Sequence, residues 1–339
     1  MHSFSRTIFL ASVICCFVVF DQEKVPSQTI EKQADPLVSR KFEFRYSASI
    51  TDVPSGAKIR VWMPVAESDP FQTIEMKSVT LPSEAKINRD GKYGNKILYF
   101  ERTQNGTGNI AAEVTYSVIR TEAQAVGQLT DGEGQKLELF LQPNTNVPVV
   151  GKPIATFEEF KKNNDIDKIE NTLVGGRHFY DFVEQHMRYD KSKPGYGKGD
   201  SVWACDSQTG NCTDFHSLFI SVARANKFPA KFQIGFPLPA TRGSGRIGGY
   251  HCWAQFHTKD NGWVPVDISE ADKAPTKKDY FFGRLNENRI NFSTGRDIEL
   301  VPKQTGTPLN YFVYPYVEGD GKPYPKEKIK LSFFYKDHE

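Results

Sequence analysis

The stretch Gly210-Asn211-Cys212-Thr213-Asp214-Phe215-His216, continuing through Ser217-Leu218-Phe219-Ile220-Ser221-Val222-Ala223-Arg224-Ala225, decides how the chain is read. Phe215, Leu218, Phe219, Val222 and Ala223 recur at i, i+3, i+4, i+7 and i+8, the spacing of an amphipathic helix. Asn211 is a good N-cap, Asp214 falls in the first turn, and Asn226 with Pro229 stops the run. Cys212 is thereby put at a helix N-terminus, where unpaired backbone N–H groups and the helix dipole favour a thiolate. The same N–H groups can serve an oxyanion. Taken alone, an inert, half-buried cysteine fits the position equally well.

A nucleophilic thiol needs a base within hydrogen-bond reach. Downstream, Gly249-Tyr250-His251-Cys252-Trp253-Ala254-Gln255-Phe256 reads as a strand and Trp263-Val264-Pro265-Val266-Asp267 as the next, with Asn261-Gly262 as a turn signal. His251 is the candidate base and Asp267 the carboxylate that orients it. Singly, one is also a core histidine and the other a strand-end carboxylate. Register constrains the choice. A two-residue Asn261-Gly262 turn pairs Phe256 with Asp267 and sends His251 to the other face of the sheet. A shared site therefore predicts an odd-length loop, or a bulge, between His257 and Gly262. A loop centred on Lys259 would set His251 directly opposite Asp267.

Working outward, the 339 residues carry 43 Lys+Arg against 41 Asp+Glu, and 25 Phe, 14 Tyr and 4 Trp. That aromatic content excludes a disordered chain, and the near-neutral balance gives no reason to expect nucleic acid. Arg6 precedes an apolar run from Thr7 to Phe20, too short for the ~20 residues of a comfortable span and shaped like a secretory signal. Residues 1–20 are read as that signal and 21–40 as a linker, with a periplasmic or extracellular destination. Cys15 and Cys16 raise a lipid-anchored alternative, although bulky Val13 and Ile14 precede them. Residues 41–119, within a domain taken as 41–150, alternate apolar and polar: Phe42, Phe44, Tyr46, Ala48 and Ile50, then Ile59, Val61, Met63 and Val65, then Ala112, Val114, Tyr116 and Val118. Separated by turns, these strands predict an antiparallel β-sandwich. A boundary is expected near residue 150, with the chemistry in 151–339. Thr156 and Glu159 predict a helix from about Phe157. Phe179, Phe182, Val183 and Met187 predict another, weakened by Gly175 and Gly176. Lys191–Gly210 reads as a polar loop, Arg296 and Asp297 as an ion pair, and 329–335 as a closing strand.

The blocks Gly210-Asn211-Cys212-Thr213-Asp214-Phe215, Arg224 with Phe228-Pro229-Ala230, Tyr250-His251-Cys252-Trp253, and Gly262-Trp263-Val264-Pro265-Val266-Asp267 together resemble the bacterial transglutaminase-like core, over roughly 155–300. Met187-Arg188-Tyr189-Asp190 is also similar to that family. The resemblance implies a papain-like α+β fold, a Cys-bearing helix packed on an antiparallel sheet. It implies Cys212 as nucleophile, His251 as general base and acid, and Asp267 as orienting carboxylate. The 39-residue step from Cys212 to His251 is too short for papain itself. Thiol acyl transfer on protein or peptide amides is the expected activity, with water or an amine as acceptor. No nucleotide, flavin or calcium motif is present, so no cofactor or metal is expected. Two other readings stand beside it: a zinc site built from Cys212, His216, His251 and Asp267, and a non-catalytic cell-envelope module that keeps the fold. Gln208 and Trp203 are weighed as a second oxyanion donor, with loop and core roles the simpler reading. Cys252 follows His251 on a strand and is expected to point away from the site. A Cys205–Cys252 disulfide is left open. His216 is read as a packing or supporting residue. The Asn211-Cys212-Thr213 sequon is discounted, because a glycan there would block the thiol.

Overall fold

The computed structural model describes Met1, residues 37–125 and residues 137–338. The expected signal segment, Met1 apart, and most of the linker lie outside them. Eighteen strands are described: β1 (Ser39–Val53), β2 (Lys58–Pro64), β3 (Gln72–Thr80), β4 (Ala85–Arg89), β5 (Lys96–Thr103), β6 (Gly108–Thr121), β7 (Ala123–Gln124), β8 (Arg188–Tyr189), β9 (Thr209–Gly210), β10 (Ala230–Pro237), β11 (Ser244–Ile247), β12 (His251–Thr258), β13 (Gly262–Val266), β14 (Arg284–Leu285), β15 (Arg289–Thr294), β16 (Tyr316–Gly319), β17 (Lys322–Pro323) and β18 (Ile329–Asp337). Three sheets carry most of them, ordered β11-β18-β1-β6-β3, β17-β16-β2-β5-β4 and β13-β12-β10-β15. The first sheet obeys the period-two pattern: Phe42, Phe44, Tyr46, Ala48 and Ile50 of β1 are all buried, as are Ala112, Val114, Tyr116 and Val118 of β6.

The expected boundary at residue 150 is crossed by strand pairing. β18 runs antiparallel along β1 from Phe42↔Asp337 to Ile50↔Ile329, and β16 pairs with β2. Both five-stranded sheets are thus finished by strands from the C-terminal part, and the chain from Leu37 onward is one compact unit. Period-two alternation marks a strand but does not name a partner hundreds of residues away, which is why the sequence placed a break here. Rings join the first sheet to the third. Phe236 of β10 lies 5.2 Å from Phe44 and 4.2 Å from Phe333, and Phe292 of β15 lies 5.6 Å from Phe44.

The helices are α1 (Lys152–Asn163), α2 (Leu173–His186), α3 (Ser201–Ser207), α4 (Cys212–Ala225) and α5 (Ile268–Lys273). α1 starts ahead of the expected capping box, with Gly151 as N-cap and Pro153 in the first turn. α3 interrupts the expected loop; the Asp200 carboxylate accepts from the Val202 and Trp203 amides and nucleates it. α4 matches its expected start and stop, but every residue from Cys212 to Arg224 is buried. Its apolar stripe faces β12 through Phe219 and Phe256, 5.9 Å apart, and the other helices cover the rest.

Gly176 explains why α2 accepts a poor helix former. A Cβ there would sit 2.1 Å from Cε2 of Phe256, whose ring is held between Phe219 and Phe282. Helix propensity favours alanine by ~1 kcal/mol, whereas overpacking costs ~1–3 kcal/mol. Gly176→Ala should therefore lower the urea midpoint; a raised midpoint would show that propensity wins and that the ring yields freely.

Candidate functional site

α4 begins with a full capping box. The Asn211 Oδ1 accepts from the Thr213 amide at 2.9 Å, and the Asp214 Oδ2 accepts from the Asn211 amide at 2.9 Å. Asp214 also accepts from the amides of Gly197 (2.7 Å) and Gly199 (2.9 Å), pinning the preceding loop against the helix start. Cys212 is the first helical residue and is 3% exposed.

The hairpin that carries the other two residues has the odd loop that a shared site requires. Thr258 pairs with Gly262 and Ala254 with Val266, leaving Lys259, Asp260 and Asn261 in the turn. Gly262 takes φ +63°, the left-handed conformation that closes a three-residue hairpin. The loop centres on Asp260, one residue beyond the expected Lys259. Asp267 consequently continues the register opposite Trp253, and His251, two residues along, shares that face as its diagonal neighbour. The His251 Nε2 stands 2.7 Å from the Asp267 Oδ2. With Nε2 engaged there, Nδ1 is the ring nitrogen left for sulfur, and the His251 and Cys212 side chains interact closely enough to shift one another's pKa. The three expected residues therefore lie together.

Asp267 is fully buried and uses both oxygens. Oδ2 also accepts from Arg289 Nη1 at 2.9 Å; Oδ1 accepts from Ser269 Oγ at 3.1 Å and caps α5 through the Glu270 amide at 3.2 Å. Burial alone would push this carboxyl up, but the charges of His251 and Arg289 outweigh it and hold it far below the usual carboxylate range. His251 shows the mirror image. Burial disfavours its cation, yet Asp267 and Cys212 push its pKa up to about 9. For Cys212, burial is overcome by hydrogen bonds from Cys252 and His251 and by the His251 charge, and the thiol lies well below its ordinary range.

Cys252 corrects the sequence reading. It does face away from His251, but that face of β12 carries α4. Its sulfur lies 3.9 Å from both Thr213 Oγ1 and His216 Nδ1, and it neighbours Cys212. Burial and the neighbouring Cys212 raise its own pKa strongly, so Cys252 stays a neutral thiol beside the Cys212 sulfur. Cys205 instead meets Thr156 Oγ1 at 3.4 Å on α1, and the cysteines of the described residues are free thiols. His216 has both ring nitrogens engaged by backbone. Nε2 accepts from the Ile268 amide at 3.1 Å, which leaves Nδ1 to donate to the Cys212 carbonyl at 2.7 Å. That ring joins the starts of α4 and α5 and has no lone pair free for a zinc ion, against the four-ligand reading. Gln208 ends α3 in a left-handed conformation, and its carbonyl accepts from the Arg188 amide. Trp203 packs its indole over Gly195. Arg296 and Asp297 are not paired. Arg296 binds Ser217, Asn310 and the carbonyl of Gly199, while Asp297 holds Asn144 and the Thr145 amide. Arg289, buried and stacked 4.9 Å from Trp253, was not foreseen; nothing local distinguishes it from a surface arginine.

Residues 162–268, which span all three side chains, match the transglutaminase-like superfamily. This segment is a transglutaminase-like core. An uncharacterised protein of Haemophilus influenzae is 26% identical over 325 residues, covering 83% of this chain and 86% of its own. A solved structure from Cytophaga hutchinsonii, provisionally described as a cysteine protease, superposes with a TM-score of 0.53 at 15% identity over 90% of this chain and 93% of its own. It shares the fold across nearly the whole chain. The periplasmic domain of TgpA from Pseudomonas aeruginosa aligns at 15% identity over 68% of this chain and 75% of its own, with a TM-score of 0.34.

The pair leaves a clear signature. Between about pH 6.5 and 8.5 the unfolded chain holds one proton on the thiol, whereas the folded pair holds it on the imidazole. The proton count is equal, so this pair adds little pH slope to stability there; the difference lies in reactivity. Cys212 should react with iodoacetamide at pH 6 near its plateau rate, and His251→Ala should shift that plateau upward toward ordinary thiol values. Asp267→Ala, which strands buried Arg289, should cost roughly 3–5 kcal/mol in denaturant unfolding. A near-neutral result would mean that Arg289 is solvated or differently paired.

Proposed function

We propose that this protein is a cysteine-dependent acyl transferase that acts on amide bonds of protein or peptide substrates. The observation that supports this most directly is the buried chain from Asp267 through the His251 Nε2 at 2.7 Å to the Cys212 sulfur, at the N-terminus of α4. In the proposed cycle the Cys212 thiolate attacks the amide carbonyl. The oxyanion faces the Cys212 N–H, the first-turn amide of α4 that the Asn211 cap does not engage. His251 passes its Nδ1 proton to the leaving amine, which departs and leaves a thioester acyl-enzyme. Water or a lysine amine, deprotonated by His251, then completes hydrolysis or transfer. The cysteine-protease description of the Cytophaga hutchinsonii structure favours water as the acceptor. The secretory-type segment at residues 1–20 supports action in the periplasm or outside the cell. Among the described residues no helix is long and apolar enough to cross a membrane.

An electrophilic peptide should label Cys212 and spare Cys205 and Cys252, and Cys212→Ala should abolish the label. In turnover, His251→Ala should lower kcat by about 10²–10⁴-fold, and the alkaline limb of the pH profile should fall near the His251 pKa of about 9. Equal labelling of all three thiols, or a rate indifferent to His251, would overturn the assignment. Acceptor choice is read by scoring the products for incorporated amine against free acid.

A further inference from the structure

A cavity of about 500 Å³ is lined by Tyr311 and Tyr314, and Tyr250 links these two rings to the start of α4. The Tyr250 hydroxyl lies 2.9 Å from Oγ1 of Thr213, the residue after Cys212, and accepts from Asn211 Nδ2 at 3.2 Å. The other side of its ring meets Tyr311 at 5.5 Å and Tyr314 at 5.8 Å, both of which line the cavity. Tyrosine rings with Leu309 and Leu331 give an apolar wall, while Lys198 and Lys326 supply its only charges among the described lining residues, none of which is a carboxylate.

Lys198 is held rather than merely present. The amides on either side of it, those of Gly197 and Gly199, are both taken by Asp214, on the first turn of the Cys212 helix. Its carbonyl accepts from Arg296 Nη2 at 3.0 Å and Asn310 Nδ2 at 2.7 Å. Two buried charged residues therefore fix the backbone of one exposed lysine at a rim tied to the nucleophile's helix.

We propose that this cavity is the substrate subsite for an acidic peptide segment, an apolar side chain seated among Tyr311, Tyr314 and Leu331 and a neighbouring carboxylate drawn to Lys198 and Lys326. The proposal rests on the acyl-transfer reading and names its substrate class. Lysines without a facing carboxylate favour an anionic partner through attraction that salt screens. The tyrosine wall takes apolar surface.

The test uses two fluorescein-labelled decapeptides, alternating Leu-Glu and alternating Leu-Lys, and full-length protein carrying Cys212→Ala, so that binding is read by anisotropy without turnover. The Leu-Glu peptide should bind about tenfold tighter at low salt, and the margin should shrink in ~0.5 M salt. Adding Lys198→Glu with Lys326→Glu should reverse the preference, whereas Lys168→Glu with Lys259→Glu, both exposed and outside the cavity lining, makes the same change of net charge and should not. In protein with Cys212 intact, the Leu-Glu peptide should slow iodoacetamide alkylation of Cys212. Equal affinity for the two peptides, a preference that survives the double reversal, or binding without protection of Cys212 would overturn the subsite. Slow alkylation of Cys212 with no peptide present would instead overturn the thiol reading, and the anisotropy result would still judge the cavity.

Discussion

One buried carboxylate organises the site. Asp267 has no contact with water, and its two oxygens divide the work: Oδ2 faces the His251 and Arg289 cations, while Oδ1 caps α5 and takes the Ser269 hydroxyl. A buried anion this well supplied with donors is stable only where all of them converge. The constraint runs outward from there. It fixes the end of the β12–β13 hairpin, the tautomer of His251 and the start of α5, and through His216 it fixes the carbonyl of the first residue of α4. The sulfur, imidazole and carboxylate owe their alignment to backbone that each of them also holds in place.

The pattern of charges around Cys212 follows from the same economy of space. Full burial would keep a lone thiol neutral. Here it is opposed by an imidazolium on one side and by the neutral Cys252 S–H on the other. The two neighbours come from adjacent residues of β12, on opposite faces of the strand.

The residues that carry local signals were legible in the sequence. Asn211, Asp214 and the apolar stripe of α4 defined its limits, and the parity argument between His251 and Asp267 required the odd hairpin loop that Gly262 closes. What escaped depends on contacts between distant residues. Cys252 was put on the correct face of its strand, but nothing local told which face would receive the helix. Arg289 has no motif. The apparent Arg296–Asp297 pair dissolved because adjacent side chains on turning backbone point apart, each to partners fourteen or more residues away. The domain break at residue 150 failed for the same reason, since the composition of β18 is silent about β1.

That last pairing has a consequence for how the molecule comes into being. Arg40 at the start of β1 is clamped by Asp337, 297 residues later. The earliest strand of the fold thus waits for the latest, and contacts of such long range form slowly. A chain still being made, or cut short before β18, leaves β1 with a bare edge and leaves the aromatic seam of Phe44, Phe236 and Phe333 incomplete. That seam supports β10, the strand on which His251 of β12 is paired. The site's sheet is therefore braced by a pairing between the first and the last of the described strands, and its assembly waits on that pairing.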